Sequence, residues 1–211
     1  MVDIRAVDGV PESALDERTA ARLPSSAPAA PWTCRCQAIV WTSRAFGRPV
    51  FGALLAYSDT PVGAYREVQG LRGTLGRQGP RLNVPFIAVD SPASLVAGRR
   101  NWALPKTLAE FTGDPADKAM AAVGNGWRIS ATARTLGPAV PTRLTGQLDQ
   151  PWPDAVRRIA WLTGRAVAQP ALIRVVVESR GPLAGWLRPG RHLGLLLQQV
   201  EFTLSVPAES S

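Results

Sequence analysis

The sequence predicts a mainly β fold with a few short helices (class α+β), in which an antiparallel sheet is curved or closed. Three observations support this prediction. The 211 residues include 19 glycines and 19 prolines, a composition typical of a chain with many turns rather than of a helical bundle. Strand-like runs recur along the chain between Gly and Pro boundaries. Asn125-Gly126 stands between two such runs and suits the positive φ angles of a type I′ turn.

The length is typical of one domain with a sizeable core. Residues 1–31 end in the Pro/Ala/Ser stretch LPSSAPAAP and predict a partly flexible N-terminal lead-in, with a short helix over 12–23. We expect a single domain over 32–211, because the first strand-like run follows Trp32.

Each element of the domain is predicted from local pattern. Ala155, Ile159 and Leu162 recur at helical spacing after Pro153, which predicts one amphipathic helix over 153–167. Asn125-Gly126 predicts a β-hairpin. Further strands are predicted by β-rich or alternating runs, and these cover 34–44, 49–58, 64–72, 83–90, 171–180 and 192–206.

Charge and hydropathy narrow the function classes. The net charge is +8, but the arginines are scattered without a basic run or a DNA-binding motif, so we expect no nucleic-acid partner. The first residues are charged and lack the apolar core of a signal peptide. The longest apolar run, around 193–197, is too short to span a bilayer. We therefore expect a cytoplasmic protein without a membrane partner.

Two cysteines and one histidine offer little for metal or redox chemistry. Cys34 and Cys36 are separated by one residue and would share one face of a strand. No second pair completes a metal site, so no metal is expected. We interpret the cysteines as small buried residues rather than a redox pair, and His192 as structural rather than as a general base. The seven tryptophans fit core packing as well as an aromatic pocket.

The use of lysine is the most informative feature. Of 24 basic residues only two are lysines, and Lys106 stands in the mostly apolar segment WALPKTLAEF. Burial among such neighbours disfavours the charged ammonium, and a neutral amine attacks carbonyl carbons to give a Schiff base. Arginine cannot do this, because its guanidinium stays protonated. A lysine whose stem lies along an apolar surface while its amine reaches water is the alternative.

The segment GRRNWALPKTL resembles the active-site segment of the acetoacetate decarboxylase family, in which the lysine after proline forms the Schiff base. Upstream, VGAYREVQG is similar to the Gly-x-Tyr-x-Glu stretch of that family, and Glu67 takes the place of the active-site glutamate. The run RCQAIVW resembles the strand that carries an active-site arginine, which makes Arg35 the candidate. The residues that match the lysine segment are Gly98, Arg99, Ala103, Pro105, Lys106 and Leu108.

The resemblance implies a barrel-like cone of antiparallel sheet with the lysine inside. It also implies a Schiff-base lyase that acts on a keto acid or related carbonyl compound without a cofactor, and that assembles as a homo-oligomer. In this interpretation Lys106 forms the imine, Glu67 handles protons and Arg35 holds the carboxylate. We expect the substrate pocket to be lined by Tyr65, Phe86, Trp102 and Leu104.

The sequence leaves three functions open. Decarboxylation is the first prediction, and an aldolase-dehydratase or cyclase of a secondary-metabolite pathway could use the same imine. A binding protein that has lost the chemistry is the third, since Thr107 stands where the best-known members of the family have a second lysine, and the region around 43–49 is shorter than in larger members. Without that neighbouring cation, desolvation must do more to release the amine.

Overall fold

The computed structural model describes residues 3–45, 47–76 and 79–209. Most of them lie in one sheet of 12 strands, as the sequence predicts for a mainly β fold. The strands are β1 Trp32–Ala45, β2 Arg48–Asp59, β3 Tyr65–Gly76, β4 Gly79–Val89, β5 Lys106–Leu108, β6 Glu110–Asp114, β7 Ala119–Gly124, β8 Trp127–Thr135, β9 Val140–Pro151, β10 Arg157–Ser179, β11 Gly190–Leu204 and β12 Ala208–Glu209.

The helices are few and short. The α-helices are α1 Glu17–Ala21, α2 Pro92–Trp102 and α3 Leu183–Leu187, and single 3₁₀ turns cover Ile4–Ala6, Pro11–Ser13 and Pro115–Asp117. The helix predicted over 12–23 is therefore reduced to one 3₁₀ turn and α1. No helix in the described part of the chain is long and apolar enough to cross a membrane.

The sheet has the pairing order β11-β1-β2-β3-β4-β9-β10-β8-β7-β6. Most pairs are antiparallel, whereas β4 runs parallel to both β5 and β9. β10 also pairs with β11, so the succession of paired strands returns to its start. The 23 residues of β10 pair on one edge with β9 and then with β8, and on the other edge with β11.

The two faces of the sheet bury separate cores, as the two-residue period of a strand allows. In β1, Cys36 and Ala38 belong to one core, while Ile39 and Trp41 belong to the other. The first core receives α2. The second core receives the β7–β8 hairpin and α3.

The Asn125-Gly126 hairpin is confirmed, since Gly124 pairs with Trp127 and Gly126 adopts a φ of 76°. The helix predicted over 153–167 is wrong. From Arg157 onward this stretch belongs to β10 and pairs with β9 on one side. Gly164 explains part of this, because a Cβ there would lie 2.2 Å from the Glu201 carbonyl oxygen of β11. Strand pairing on both sides thus overrides the helical spacing of the apolar residues.

The lead-in packs against the domain along much of its length. Val7, Val10 and Ser13 are buried, and the Val10 amide donates to the Pro85 carbonyl of β4 at 2.9 Å. Val10 belongs to the core that receives α3, whereas Ile4, Leu15 and Leu23 of the lead-in pack against the core that surrounds Lys106.

Candidate active site

Helix α2 and the turn that follows it bring Lys106 into the interior. The helix begins after Ser91, whose hydroxyl accepts a hydrogen bond from the Ser94 amide and so satisfies one free N–H of the first turn. It ends at Ala103, which adopts a left-handed φ of 49°. The chain then reverses and enters β5 at Lys106, which lies beside Ile87 of β4.

Small residues on one face of α2 leave room for the lysine side chain. A Cβ at Gly98 would lie 2.6 Å from both Cδ and Cε of Lys106, so glycine permits the stem to lie against the helix. Ser94, one turn earlier, is fully buried and its hydroxyl accepts a hydrogen bond from Lys106 Nζ at 3.0 Å. The helix therefore fixes both the path and the end of this side chain.

Arg99 fixes the backbone of the same lysine. It is fully buried, and its Nε donates to the Lys106 carbonyl oxygen at 2.7 Å. Its terminal nitrogens donate to the carbonyls of Ile4 at 2.7 Å and Ser13 at 2.9 Å. A guanidinium holds several acceptors in fixed directions, so Arg99 joins the lead-in to the strand that carries Lys106.

The amine of Lys106 meets a carboxylate. Its Nζ lies 2.7 Å from Glu67 Oε2, and the side chains of Lys106 and Glu67 are 5% and 3% exposed. Tyr57 donates its hydroxyl hydrogen to Glu67 Oε1 at 3.3 Å. The Tyr65 ring centroid lies 5.2 Å from Nζ. Across the 2.7 Å between Lys106 Nζ and Glu67 Oε2, a proton can pass directly from nitrogen to carboxylate.

The neighbouring acids stay protonated. Burial and the negative charge of Glu67 raise the pKa values of Tyr57 and Tyr65 well above the ordinary value. Burial raises the pKa of the Cys34 thiol to about 12, and burial also raises the pKa of Cys36. Both cysteines are free and buried. Glu67 is the acidic side chain in direct contact with the Lys106 amine.

Lys106 and Glu67 line a cavity of about 340 Å³, within the range of sites for small organic molecules. The wall is mostly apolar and is built by β1, β2, β3, β4, β9, β10 and β11 together with the end of α2. Trp32 and Trp102 form one part of it, with ring centroids 5.4 Å apart and planes nearly perpendicular. Among the residues that the structure describes, no group of three or more His, Cys, Asp or Glu side chains could hold a metal ion.

Five of the seven predicted site residues meet at this cavity, and these are Lys106, Glu67, Tyr65, Trp102 and Leu104. Arg35 does not line it, because its side chain is 63% exposed and lies 3.7 Å from Glu201 on the outer face. The alternation of β1 turns Cys34 and Cys36 inward instead. The assignment of the substrate carboxylate to Arg35 is thus not supported by this geometry.

Phe86 also lies outside the cavity. Its ring packs at right angles to Trp127 in the second core, with centroids 5.1 Å apart. The residues of β4 that line the cavity are Leu82, Val84 and Ile87. Val84 and Ile87 are three positions apart because the register of the β3–β4 pair shifts between Gly70 and Arg72. A shift of this kind cannot be seen from alternation in one strand.

Two contacts of the site were not predicted. Ser94 lies four residues before Gly98, which places both on one helix face, and this spacing is the signal that would have indicated it. Tyr57 has no such local signal, because it approaches Glu67 through the β2–β3 pairing. His192 lies outside the cavity, where its Nε2 is 2.8 Å from the Arg188 carbonyl oxygen, which fits a structural role.

Comparison with known proteins finds solved structures of similar fold. No family model matches the chain, and no curated protein matches its sequence. Among solved structures, acetoacetate decarboxylase from Legionella pneumophila is similar with a TM-score of 0.55 and 13% identity, over 90% of this chain and 91% of that one. A second structure of acetoacetate decarboxylase gives a TM-score of 0.58 at 13% identity, over 93% and 98%.

The enduracididine biosynthesis enzyme MppR is similar to the same degree. Its complex with the condensation product of pyruvate and imidazole 4-carboxaldehyde gives a TM-score of 0.55 at 13% identity, over 86% of this chain and 90% of that one. An acetoacetate decarboxylase-like enzyme from Sphingomonas wittichii has a TM-score of 0.54 at 12% identity, over 86% and 92%. These likenesses agree with the resemblance of the lysine segment, and the chain has the acetoacetate decarboxylase-like fold.

Proposed function

We propose that this protein is a Schiff-base-forming lyase in which Lys106 condenses with the carbonyl carbon of a keto-acid-like substrate, and that decarboxylation follows. The observation that carries this proposal is the buried contact of 2.7 Å between Lys106 Nζ and Glu67 Oε2 at the wall of the cavity. A buried amine beside a proton acceptor is the arrangement that nucleophilic catalysis by lysine needs. The fold shared with acetoacetate decarboxylases supports the same chemistry.

The reaction begins with proton transfer from the Lys106 ammonium to Glu67. The neutral amine adds to the substrate carbonyl, and loss of water gives the protonated imine. In a β-keto acid the bond between the α-carbon and the carboxylate then breaks, and its electrons move into the iminium to give an enamine while carbon dioxide leaves. A proton is returned to the α-carbon, and hydrolysis of the imine releases the ketone and the amine.

Glu67 is the proton carrier for these steps. It is within hydrogen-bonding distance of Nζ, where a proton leaves the amine and where water is later lost. The Tyr57 hydroxyl, which donates to the other carboxylate oxygen, orients Glu67. We also propose that the sheet forms the predicted barrel-like cone around these groups, since β10 pairs with both β9 and β11.

Carbon–carbon condensation is the second candidate. Among the described residues of the cavity wall, Lys106 is the only cation, so a substrate carboxylate finds no second positive charge there. This favours an enamine formed by loss of an α-proton from an uncharged carbonyl compound, which then adds to an aldehyde. The complex of MppR with the condensation product of pyruvate and imidazole 4-carboxaldehyde supports this second candidate.

Imine trapping tests the proposal directly. The protein is incubated with acetoacetate, pyruvate or a simple ketone together with borohydride, and the adduct is located by peptide mass spectrometry. We expect a mass increase on Lys106 and none on Lys118, which is the other lysine of the chain and is exposed. Release of carbon dioxide from β-keto acids then distinguishes decarboxylation from condensation.

Matched variants make the result decisive. Lys106→Ala should abolish the adduct, whereas Lys118→Arg should retain it. An adduct that persists on another residue of Lys106→Ala would contradict the assignment. Ligand binding in the cavity without any adduct would instead support the non-catalytic binding protein.

A further inference from the structure

The cavity continues well beyond the reacting amine along three neighbouring strands. Glu67 of β3 pairs with Leu55 of β2, which pairs with Ala38 of β1, so these three residues mark the level of the amine. The residues beyond this level that line the cavity are Val40, Phe51, Ala53, Gln69 and Leu71. The four steps along β3 from Glu67 to Leu71 correspond to about 13 Å of strand.

Three further strands, β4, β9 and β11, supply a mostly apolar part of the cavity wall. β9 also contributes Thr145 and Gln147, and the apolar residues of this wall are Leu82, Leu144, Leu148 and Leu197. All four are half-buried, whereas Lys106 is 4% exposed. The cavity thus leads from an apolar, partly open region to a closed end that contains the reactive groups.

Charge is confined to that closed end. The two charged side chains among the described lining residues are Glu67 and Lys106, and they are paired with each other. A charged group in the apolar extension would have no partner of opposite charge, and burial of an unpaired charge is strongly unfavourable. The extension therefore selects against a charged substrate tail.

The volume indicates the size of the occupant. A cavity of about 340 Å³ corresponds to roughly eleven water-sized groups at about 30 Å³ each. A short keto acid such as acetoacetate would fill only part of this space and would leave the apolar walls in contact with water. A longer aliphatic or aryl-aliphatic chain would bury them.

We propose that the substrate is a carbonyl compound with an apolar, uncharged tail: a medium-chain β-keto acid or the methyl ketone that corresponds to it. The carbonyl carbon lies at Lys106, and the tail lies between Ala53 and Gln69 on one side and the leucines of β4 and β9 on the other. This inference rests on the proposed imine chemistry and adds the recognition of the tail. Ala53 is the residue that sets the tail length, because it is small and lies just beyond the level of the amine.

A homologous series tests the proposal. The protein is incubated with 2-alkanones from butan-2-one to undecan-2-one and with borohydride, and the concentration for half-maximal trapping on Lys106 is measured. Burial of each additional methylene should lower this concentration about three- to fourfold, until the tail fills the cavity. The same order is expected for decarboxylation of the matching β-keto acids.

Two variants of β2 locate the tail. Ala53→Phe should abolish the preference for long chains, because the new ring occupies the extension. Ala56→Phe is the matched control, since Ala56 lies on the opposite face of β2, and it should retain the wild-type order. Circular dichroism and thermal unfolding check that both variants fold, and the wild-type series tests the proposal without them.

The outcomes separate this inference from the proposed function. Trapping that strengthens with chain length supports both. Trapping of all chain lengths with equal strength, or of butan-2-one best, overturns the apolar substrate and leaves the imine chemistry in place. No adduct on Lys106 at any chain length overturns both.

Discussion

Gly98 is the residue on which the path of the lysine side chain most directly depends. We predict that Gly98→Ala slows imine trapping on Lys106 by about a hundredfold, the loss that a displacement on the order of 1 Å can cause at a reacting group. The new methyl would lie 2.6 Å from Cδ and Cε of Lys106, so the stem must move. Gly185→Ala in α3 is the control, because nothing lies within 4 Å of a Cβ at that position. A trapping rate in Gly98→Ala equal to that of the wild type would contradict the prediction.

A second prediction at the scale of residues concerns the ion pair of Lys106 and Glu67. Lys106→Met should lower the free energy of unfolding by about 3 to 5 kcal/mol, because it leaves a buried carboxylate without its partner. The double variant Lys106→Met/Glu67→Gln should recover most of this loss, since both charges are then absent and the Tyr57 hydroxyl keeps an acceptor. Denaturant unfolding of the two single variants and the double variant gives the coupling energy. Additive losses would show that the ion pair contributes nothing.

At the scale of elements, Arg99 joins α2, β5 and the lead-in. Arg99→Lys should lower the free energy of unfolding by at least about 2 kcal/mol, because a single ammonium cannot reach the separate carbonyls that the guanidinium holds. We also expect faster hydrogen exchange in residues 4–13. Arg100→Lys is the neighbouring control, since Arg100 donates to one carbonyl, that of Ser25 at 2.8 Å, and it should change stability by less than about 0.5 kcal/mol.

Local and long-range determinants explain which elements could be predicted from the sequence. The hairpin at Asn125-Gly126 could be predicted because its turn is specified by two adjacent residues. The stretch 153–167 could not, because its strand state depends on β9, which precedes it across a turn, and on β11, whose residues are distant in sequence. The same distinction applies within the site. Lys106 stood out in its own segment, whereas the outward position of Arg35 and the core position of Phe86 depend on strand register.

At the scale of the whole molecule, the buried acids make stability depend on pH. The pKa of Cys34 is raised to about 12, and those of Cys36, Tyr57 and Tyr65 are also raised. The unfolded chain therefore loses thiol protons above about pH 8.5 while the folded chain keeps them. Because the folded state then binds more protons, the free energy of unfolding should fall as pH rises above this value, by up to about 1.4 kcal/mol per pH unit for each group.

Denaturant unfolding between pH 7 and pH 11 measures this dependence. The double variant Cys34→Ala/Cys36→Ala should show a smaller decline above about pH 8.5, with the remaining decline due to the tyrosines. Below that pH the variant and the wild type should share one slope, because the thiols are protonated in both states. Identical slopes over the whole range would contradict the assignment to the cysteines.

The separation of the two cores has a consequence for how this molecule can change. The wall around the lysine and the packing that involves α3 and the β7–β8 hairpin lie on opposite faces of shared strands. Substitutions at alternate positions of β1 or β2 therefore change one of these two cores without changing the other. Substitutions that change specificity can therefore accumulate in the wall around the lysine while the core that involves α3 and the β7–β8 hairpin preserves folding. The architecture is for this reason a suitable scaffold for directed evolution of amine catalysts.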